Sequence, residues 1–221
     1  RSTTAMSGIF ISFEGIDGAG KSTHVERLAQ AFLQQGKVVT RTREPGGTPL
    51  AEQLRQLILN APMDAMTEAL LVFAARHDHL QQVILPALKR SDVVLCDRFT
   101  DATFAYQGEG RGFDWQILTV LESWVQGRVG DGSGARTLIQ PHLTIWFDLP
   151  ANIAAQRLTG ARVPDKFESQ PVAFFEKVAA GYARRQMADP TRFARINADQ
   201  TPEAVWRDVE LSVRNHGLLP C

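Results

Sequence analysis

Short runs of β-branched and aromatic residues alternate with amphipathic stretches along the whole chain. Ile9 to Glu14 (IFISFE) is almost wholly apolar and ends at a glycine, the pattern of a strand buried on both faces. Lys21 to Gln35 carries Val25, Leu28, Ala29, Phe32 and Leu33 at helical spacing and stops at Gly36. Val38 to Arg43, Val93 to Cys96, Leu143 to Leu149 and Phe193 to Asn197 read as further strands. Leu50 to Leu59, Glu68 to Lys89, Trp115 to Val125, Ala151 to Leu158, Ala173 to Met187 and Pro202 to Val213 read as helices, the last with proline in its first turn. Five strands separated by helices predict an α/β fold, a parallel sheet with helices on both faces. Two segments break the pattern. Gly127 to Arg136 has four glycines in ten residues and predicts a flexible loop. Thr159 to Gln170 is polar, holds a proline and separates two helical patterns; with Arg157 before it, the segment of about residues 157–170 predicts a mobile lid.

A length of 221 residues fits one domain, here the whole of 1–221. Lysine plus arginine and aspartate plus glutamate are both 24, and a formal charge of zero disfavours a nucleic-acid binder. Of the 24 cations 19 are arginine, the better fork for phosphate oxygens. Cys96 and Cys221 are too few for a disulfide framework and point to a reducing, cytoplasmic setting. No apolar run approaches the roughly 18 residues of a membrane span. Residues 1–7 lack a signal-peptide core and are expected to be disordered or a cloned leader, with Met6 a candidate start. The five histidines are scattered; His77 and His79 fall on different helical faces, poor geometry for a shared metal, and read as surface or lining residues.

The sharpest signal is Gly15-Ile16-Asp17-Gly18-Ala19-Gly20-Lys21-Ser22, which fits G-x-x-x-x-G-K-[ST] between a strand and a helix. Glycines let successive backbone N–H groups converge on a polyphosphate, and the helix adds its positive N-terminal end. In such a loop Lys21 reaches the β- and γ-phosphates and the Ser22 hydroxyl ligates Mg²⁺. NTP binding follows, with Gly15, Asp17, Gly18, Ala19, Gly20, Lys21, Ser22 and Thr23 around the phosphates, the ATP site that the resemblance below implies. The guanine-reading N-K-x-D motif of GTPases does not occur, and the length suits a small kinase.

Further motifs resemble those of the thymidylate kinases. They are Phe13 to Thr23 (FEGIDGAGKST), Thr42 to Thr48 (TREPGGT), Phe73-Ala74-Ala75-Arg76, Asp97-Arg98-Phe99, Ala105-Tyr106-Gln107-Gly108 and Gly110-Arg111-Gly112. They run in order over about residues 9–210. The resemblance implies the nucleoside monophosphate kinase fold, a homodimer packed through helices, and phosphoryl transfer from MgATP to dTMP. It implies that Arg98 bridges the donor and acceptor phosphates, that Asp97 holds Mg²⁺ through water, and that Arg43 grips the monophosphate with Arg55 as a possible helper. Asp17 would meet the deoxyribose 3′-hydroxyl or a metal. Arg76 would donate to the thymine O4 carbonyl while Phe73 stacks on the ring, although the family's stacking residue falls at Val72. Thr103 would contact the pyrimidine edge, Tyr106 would exclude a ribose 2′-hydroxyl, and Gln107 would add a contact.

Because the acceptor is itself an oxyanion, no general base is needed; positioning and charge neutralisation suffice. Basic residues are missing from the interior of the glycine loop and present in the lid, which resembles the bacterial lid-arginine type. Arg162 is the candidate for the transition-state contact and Arg157 the second. The family's D-R-x-E reads Asp165-Lys166-Phe167-Glu168, which keeps a charge and loses a fork. Two other functions stay open at this point: a related kinase with another nucleotide or a deoxynucleoside as acceptor, and a non-catalytic nucleotide sensor.

Overall fold

In a computed structural model the described residues are 8–129, 136–158 and 165–220. Strand β1 (Ile9–Glu14) leads through the glycine loop into α1 (Lys21–Gln34), and β2 (Val39–Arg43) is followed by α2 (Pro49–Asn60) and α3 (Ala65–His79). Helix α3 continues through a π-helical turn (Leu80–Ile84) into α4 (Leu85–Lys89). Strand β3 (Val93–Asp97) precedes α5 (Thr100–Thr103), which runs into a second π-helical stretch (Phe104–Gly110). Helix α6 (Trp115–Gln126) ends at a ribbon of β4 (Gly127–Val129) and β5 (Arg136–Leu138). Strand β6 (Leu143–Asp148), α7 (Ala151–Leu158), α8 (Val172–Ala188), β7 (Phe193–Asn197) and α9 (Pro202–Asn215) follow.

The main sheet has the order β2-β3-β1-β6-β7 and is parallel throughout, as the pattern predicts. Alternation along the strands feeds two cores. Ile11 and Phe13 pack with Leu28, Phe32, Ile145, Phe147 and Val209 on one face. Phe10, Val94 and Cys96 pack with Leu85, Leu88 and Phe99 on the other. Three helix starts are capped by side chains: Thr48, Asp64 and Thr201 accept from the backbone N–H groups of Ala51, Thr67 and Ala204. Phe13 and Arg43 both lie opposite Asp97 in register, so β1, β2 and β3 end level. Their C-terminal ends form the edge beyond which open α/β sheets bind ligands.

Two features correct the sequence expectation. The glycine-rich segment is not wholly a loop, since Gly127, Arg128 and Val129 pair antiparallel with Leu138, Thr137 and Arg136. Buried Gln126 closes the neck of this ribbon: its backbone carbonyl accepts from the Ile139 N–H at 2.9 Å, and its side-chain Nε2 donates to the Ile139 carbonyl at 3.0 Å. The glycines hid a short alternation that a partner strand could use. The second feature is the helix at Thr100–Gly110, whose apolar periodicity is broken by its π-helical geometry. Residues 1–7 and 130–135, for which disorder and a flexible loop were expected, lie outside the described residues.

Candidate active site

The glycine loop leaves β1 at Gly15, where φ is 132° and a Cβ would sit 2.5 Å from the Phe147 carbonyl oxygen, so only glycine fits. Gly20, with φ 80°, caps α1 and turns the helix N-terminus into the loop. Lys21 is buried, and its Nζ donates to the carbonyls of Gly15 at 3.0 Å and Ile16 at 3.3 Å. Burial first, and then the nearby Arg98 cation, lower its pKa from the usual lysine value. Ser22 and Thr23 are exposed in the first turn of α1.

Arg98 follows β3 directly and has φ 68°, a left-handed conformation uncommon for a residue with a side chain. Its Nη2 is shared among the Gly15 carbonyl at 3.0 Å, Asp17 Oδ1 at 3.2 Å and the Tyr106 hydroxyl at 3.3 Å. Its Nε is buried with no partner. Burial disfavours this cation, but Asp17 and its other neighbours more than offset that and hold its pKa well above the ordinary arginine value. The turn is fixed from behind: Glu14, fully buried, accepts from the Phe99 N–H at 2.7 Å and from the Tyr182 hydroxyl at 2.9 Å.

Beside the loop opens a cleft of about 640 Å³. One end is formed by Val72, Arg76, Phe99, Thr103 and Gln107, the other by Asp17, Arg55 and Arg98, with Tyr106, Asp165 and Phe167 across the middle. At the first end Arg76 Nη2 donates to Thr103 Oγ1 at 2.8 Å, Gln107 Nε2 donates to Glu68 Oε1 at 2.9 Å, and Arg76 Nη1 is buried without a partner. At the second end Arg55 Nη1 donates to the Pro45 carbonyl at 3.0 Å. Burial, then Arg43 and Arg98, lower the Arg55 pKa from its usual value, so the three guanidinium groups repel one another.

Several expectations change here. Phe73 does not line the cleft; it packs with Ala69, Phe104 and Leu118 beneath Arg76, and Val72 and Phe99 are the apolar walls instead. Spacing along one helical face could not separate the groove side from the core side of α3. His79 is neither surface nor lining: it is fully buried against Glu44. Arg43 forms a two-bond fork with Glu52 at 3.1 and 2.8 Å and borders a second, open cavity with Ser22 and Asp97. Arg55, left undecided by its helix position, is in the cleft.

Residues 159–164 of the expected lid, Arg162 included, lie outside the described residues. Arg157 Nη1 donates to the Gly18 carbonyl at 3.3 Å, and Nη2 lies 3.8 Å from Asp199. Lys166 is turned away from the glycine loop: Nζ donates to Glu68 Oε2 at 2.8 Å and to the Ala61 carbonyl at 3.3 Å. Phe167 meets the Tyr106 ring edge-on at 5.7 Å. The stretch from Asp165 to Gln170, part of the segment expected to be a mobile lid, is docked on the cleft.

No group of three or more His, Cys, Asp or Glu side chains among the described residues could hold a metal. The donor set suits Mg²⁺ brought by a polyphosphate, which takes few protein ligands. Asp97 Oδ1 is buried with no hydrogen-bond partner, and Asp97 and Ser22 border one cavity, so these residues fit such an ion.

The thymidylate kinase family model matches residues 13–209. A thymidylate kinase of Albidiferax ferrireducens is 68% identical over 212 residues, covering 96% of this chain and 98% of that protein. One of Polaromonas sp. is 65% identical over 214 residues, covering 92% and 95%. The crystal structure of thymidylate kinase from Ehrlichia chaffeensis superposes with a TM-score of 0.73 at 29% identity, covering 93% of this chain and 98% of that one.

The chain belongs to the thymidylate kinase family.

It is therefore a nucleoside monophosphate kinase. Two residues that build the cleft of this thymidylate kinase family member carry no obvious motif: Arg55, which lines it, and Glu68, which holds Gln107 and Lys166. One signal was present for Glu68. It lies with Val72, Arg76 and His79 along a single stripe of α3, at spacings of four, four and three.

Proposed function

We propose that this chain transfers the γ-phosphoryl group of MgATP to dTMP, giving dTDP and ADP, and that the whole chain serves as one kinase domain. The observation that carries this is the two-ended cleft: one free guanidinium edge in an apolar slot, and crowded cations at the end nearest the phosphate loop. Val72 and Phe99 would flank the pyrimidine, and Arg76 Nη1 would donate to its O4 carbonyl. Glu68 holds the Gln107 amide with Nε2 toward the carboxylate, which leaves the Gln107 carbonyl oxygen for a ring N–H. Tyr106, held by Arg98 and backed by Phe167, would lie against the sugar and leave no room for a 2′-hydroxyl. Asp17 would meet the 3′-hydroxyl.

The acceptor phosphate would rest between Arg55 and Arg98, with Arg43 at its rim. Donor and acceptor together carry about six negative charges near neutral pH, and catalysis consists largely of holding them in line and offsetting that charge. Lys21 and Arg98 do this from the loop and the strand end. Arg162, with Arg157 behind it, would do so from the lid side. Ser22 and Asp97 would hold Mg²⁺, which would supply positive charge to offset the negative charge of the donor phosphates.

The homodimer is part of the proposal. Leu70 on α3 and Val120 and Trp124 on α6 leave apolar side chains about half or more exposed, and helix packing between two copies would cover them. The cytoplasm, where ATP and dTMP are at hand, is the compartment this reading implies. A coupled ADP-release assay across the nucleoside monophosphates and deoxynucleosides tests the function. Strong preference for dTMP is expected; preference for a nucleoside, or nucleotide binding without turnover, would replace it with another kinase or a sensor. Light scattering tests the dimer.

A further inference from the structure

Arg76 is buried at the base end of the cleft, 1% exposed. Its Nε donates to Glu44 Oε2 at 2.7 Å and its Nη2 to Thr103 Oγ1 at 2.8 Å, while Nη1 has no protein partner. An arginine and a carboxylate left to themselves commonly close into a two-bond fork, with Nε and one Nη against both oxygens. Here the pair makes one bond, because the other carboxylate oxygen is taken. His79 Nδ1 lies 2.9 Å from Glu44 Oε1. Burial opposes ionisation of Glu44, but Arg76 and His79 outweigh it and hold the carboxyl below its usual range. An ionised carboxylate only accepts, so Nδ1 carries the proton. Nε2 of the same ring lies 2.6 Å from Thr42 Oγ1. Gly47 permits this approach, since a Cβ there would be 2.5 Å from both His79 and Thr42.

We propose that His79 is a positioning residue that sets base specificity: by occupying Glu44 Oε1 it keeps the Glu44–Arg76 pair open, so that Nη2 stays on Thr103 and Nη1 faces the pyrimidine. Without the Nδ1 donor, Glu44 rotates to take Nε and Nη2 together. Nη2 then turns one of its two N–H groups to Glu44, the guanidinium pivots, and Nη1 swings off the ring carbonyl. His79 itself touches no substrate. The inference rests on the reading that Arg76 meets the carbonyl at ring position 4 of dTMP.

The test compares kcat/KM for dTMP and 5-methyl-dCMP, which differ at ring position 4 and in the neighbouring N3–H; the Gln107 contact to that N–H is common to wild type and variants, so a change in preference between them reports Arg76. His79→Gln places an amide near the Nε2 position and does not reach Glu44. It is expected to lower the dTMP preference by about tenfold to a hundredfold, the worth of one hydrogen bond to a charged group, and to act on dTMP KM more than on kcat. His79→Asn places its amide nitrogen near the Nδ1 position and is expected to restore most of the preference. Unchanged preference in His79→Gln, or equal loss of both substrates in His79→Gln and His79→Asn, would overturn the proposal. The wild-type enzyme gives a second measure that needs no variant: the ¹⁵N resonances of His79 must show a proton on Nδ1, and a bare Nδ1 also overturns it. A wild-type enzyme that turns over dTMP no faster than 5-methyl-dCMP removes the Arg76 reading, and this inference with it. A wild type that discriminates, beside a His79→Gln enzyme that discriminates equally, removes only the role of His79.

Discussion

The two ends of the cleft solve opposite problems. At the base end nearly every polar atom has a protein partner: Arg76 is held by Glu44 and Thr103, Glu44 by His79, and Gln107 by Glu68. One edge of one guanidinium and the Gln107 carbonyl oxygen are left over. At the phosphate end cations outnumber their partners. Arg55 and Lys21 both have pKa values lowered by burial and by a neighbouring cation, and Arg98 Nε has no partner. The first end reads shape and donor pattern, and a satisfied network holds a single geometry. The second end stores unfavourable charge that an anion relieves, and that relief is largest where charge builds up in transfer.

The largest effect should come from breaking the phosphate end. Arg98→Ala is expected to cut turnover by about 10²–10³ while the protein stays folded, as for other lost transition-state charge contacts. Steady-state kinetics with a melting curve check this, and near-normal turnover in a folded variant would take Arg98 out of the site.

The lid separates the two ends within one segment. Lys166 is bound to Glu68 at the base end, whereas Arg162 is the candidate for the transferred phosphate. Arg162→Ala should lower kcat by about a hundredfold with little change in dTMP KM, and Lys166→Ala should raise dTMP KM by about tenfold with a smaller change in kcat. Hydrogen exchange on residues 165–170 should be slow before any donor binds, because that stretch is already docked. If Lys166→Ala behaves like Arg162→Ala, the whole lid serves the donor.

The phosphate end was the more legible in the sequence, and the reason is physical. Backbone cradles need glycines at fixed offsets, and strand-end charges sit beside β-branched runs, so both leave local signatures. Gly15 to Ser22 and Asp97-Arg98 are found that way. The base end depends on which side of α3 faces the groove, a tertiary fact. Phe73 and Val72 are neighbours in the chain, yet one is core and the other is wall. His79 looked like a surface residue because its partners, Thr42 and Glu44, are more than thirty positions away. The parallel sheet followed from the alternation of elements; the ribbon at Gly127–Leu138 did not, because glycines masked its short pairing.

Between the two ends lies Tyr106, and its expected effect is smaller. Tyr106→Ala should weaken discrimination between dTMP and its ribose counterpart by about 1–3 kcal/mol, the usual range for a steric pocket. Tyr106→Phe should keep most of the discrimination, since bulk matters more than the hydroxyl. Equal ribose-to-deoxyribose ratios in wild type and Tyr106→Ala would show that the ring does not meet the sugar.

The smallest effect concerns the support behind the phosphate end. Glu14 has its pKa raised from an ordinary 4.5 to about 8, chiefly by burial and next by the negative charge of Asp101. Asp101 keeps that charge because, against its own burial, Arg185 and Arg192 pull its pKa down to about 2. The donors from Phe99 and Tyr182 favour an ionised Glu14, yet burial and Asp101 prevail. Between about pH 4.5 and 8 the folded protein therefore keeps a proton that the unfolded chain has released. The folded state binds more protons, so stability falls as pH rises through that window. Glu14→Gln keeps the shape of the protonated acid, still accepts from the Phe99 N–H, and cannot titrate. Denaturant melts of both proteins at pH 5 and pH 8 should show the wild type losing at least about 1.4 kcal/mol more than Glu14→Gln, the value of a single pKa unit. Parallel profiles would mean that Glu14 is ionised in the folded protein, and that the turn carrying Arg98 is held by a charge rather than by a neutral acid.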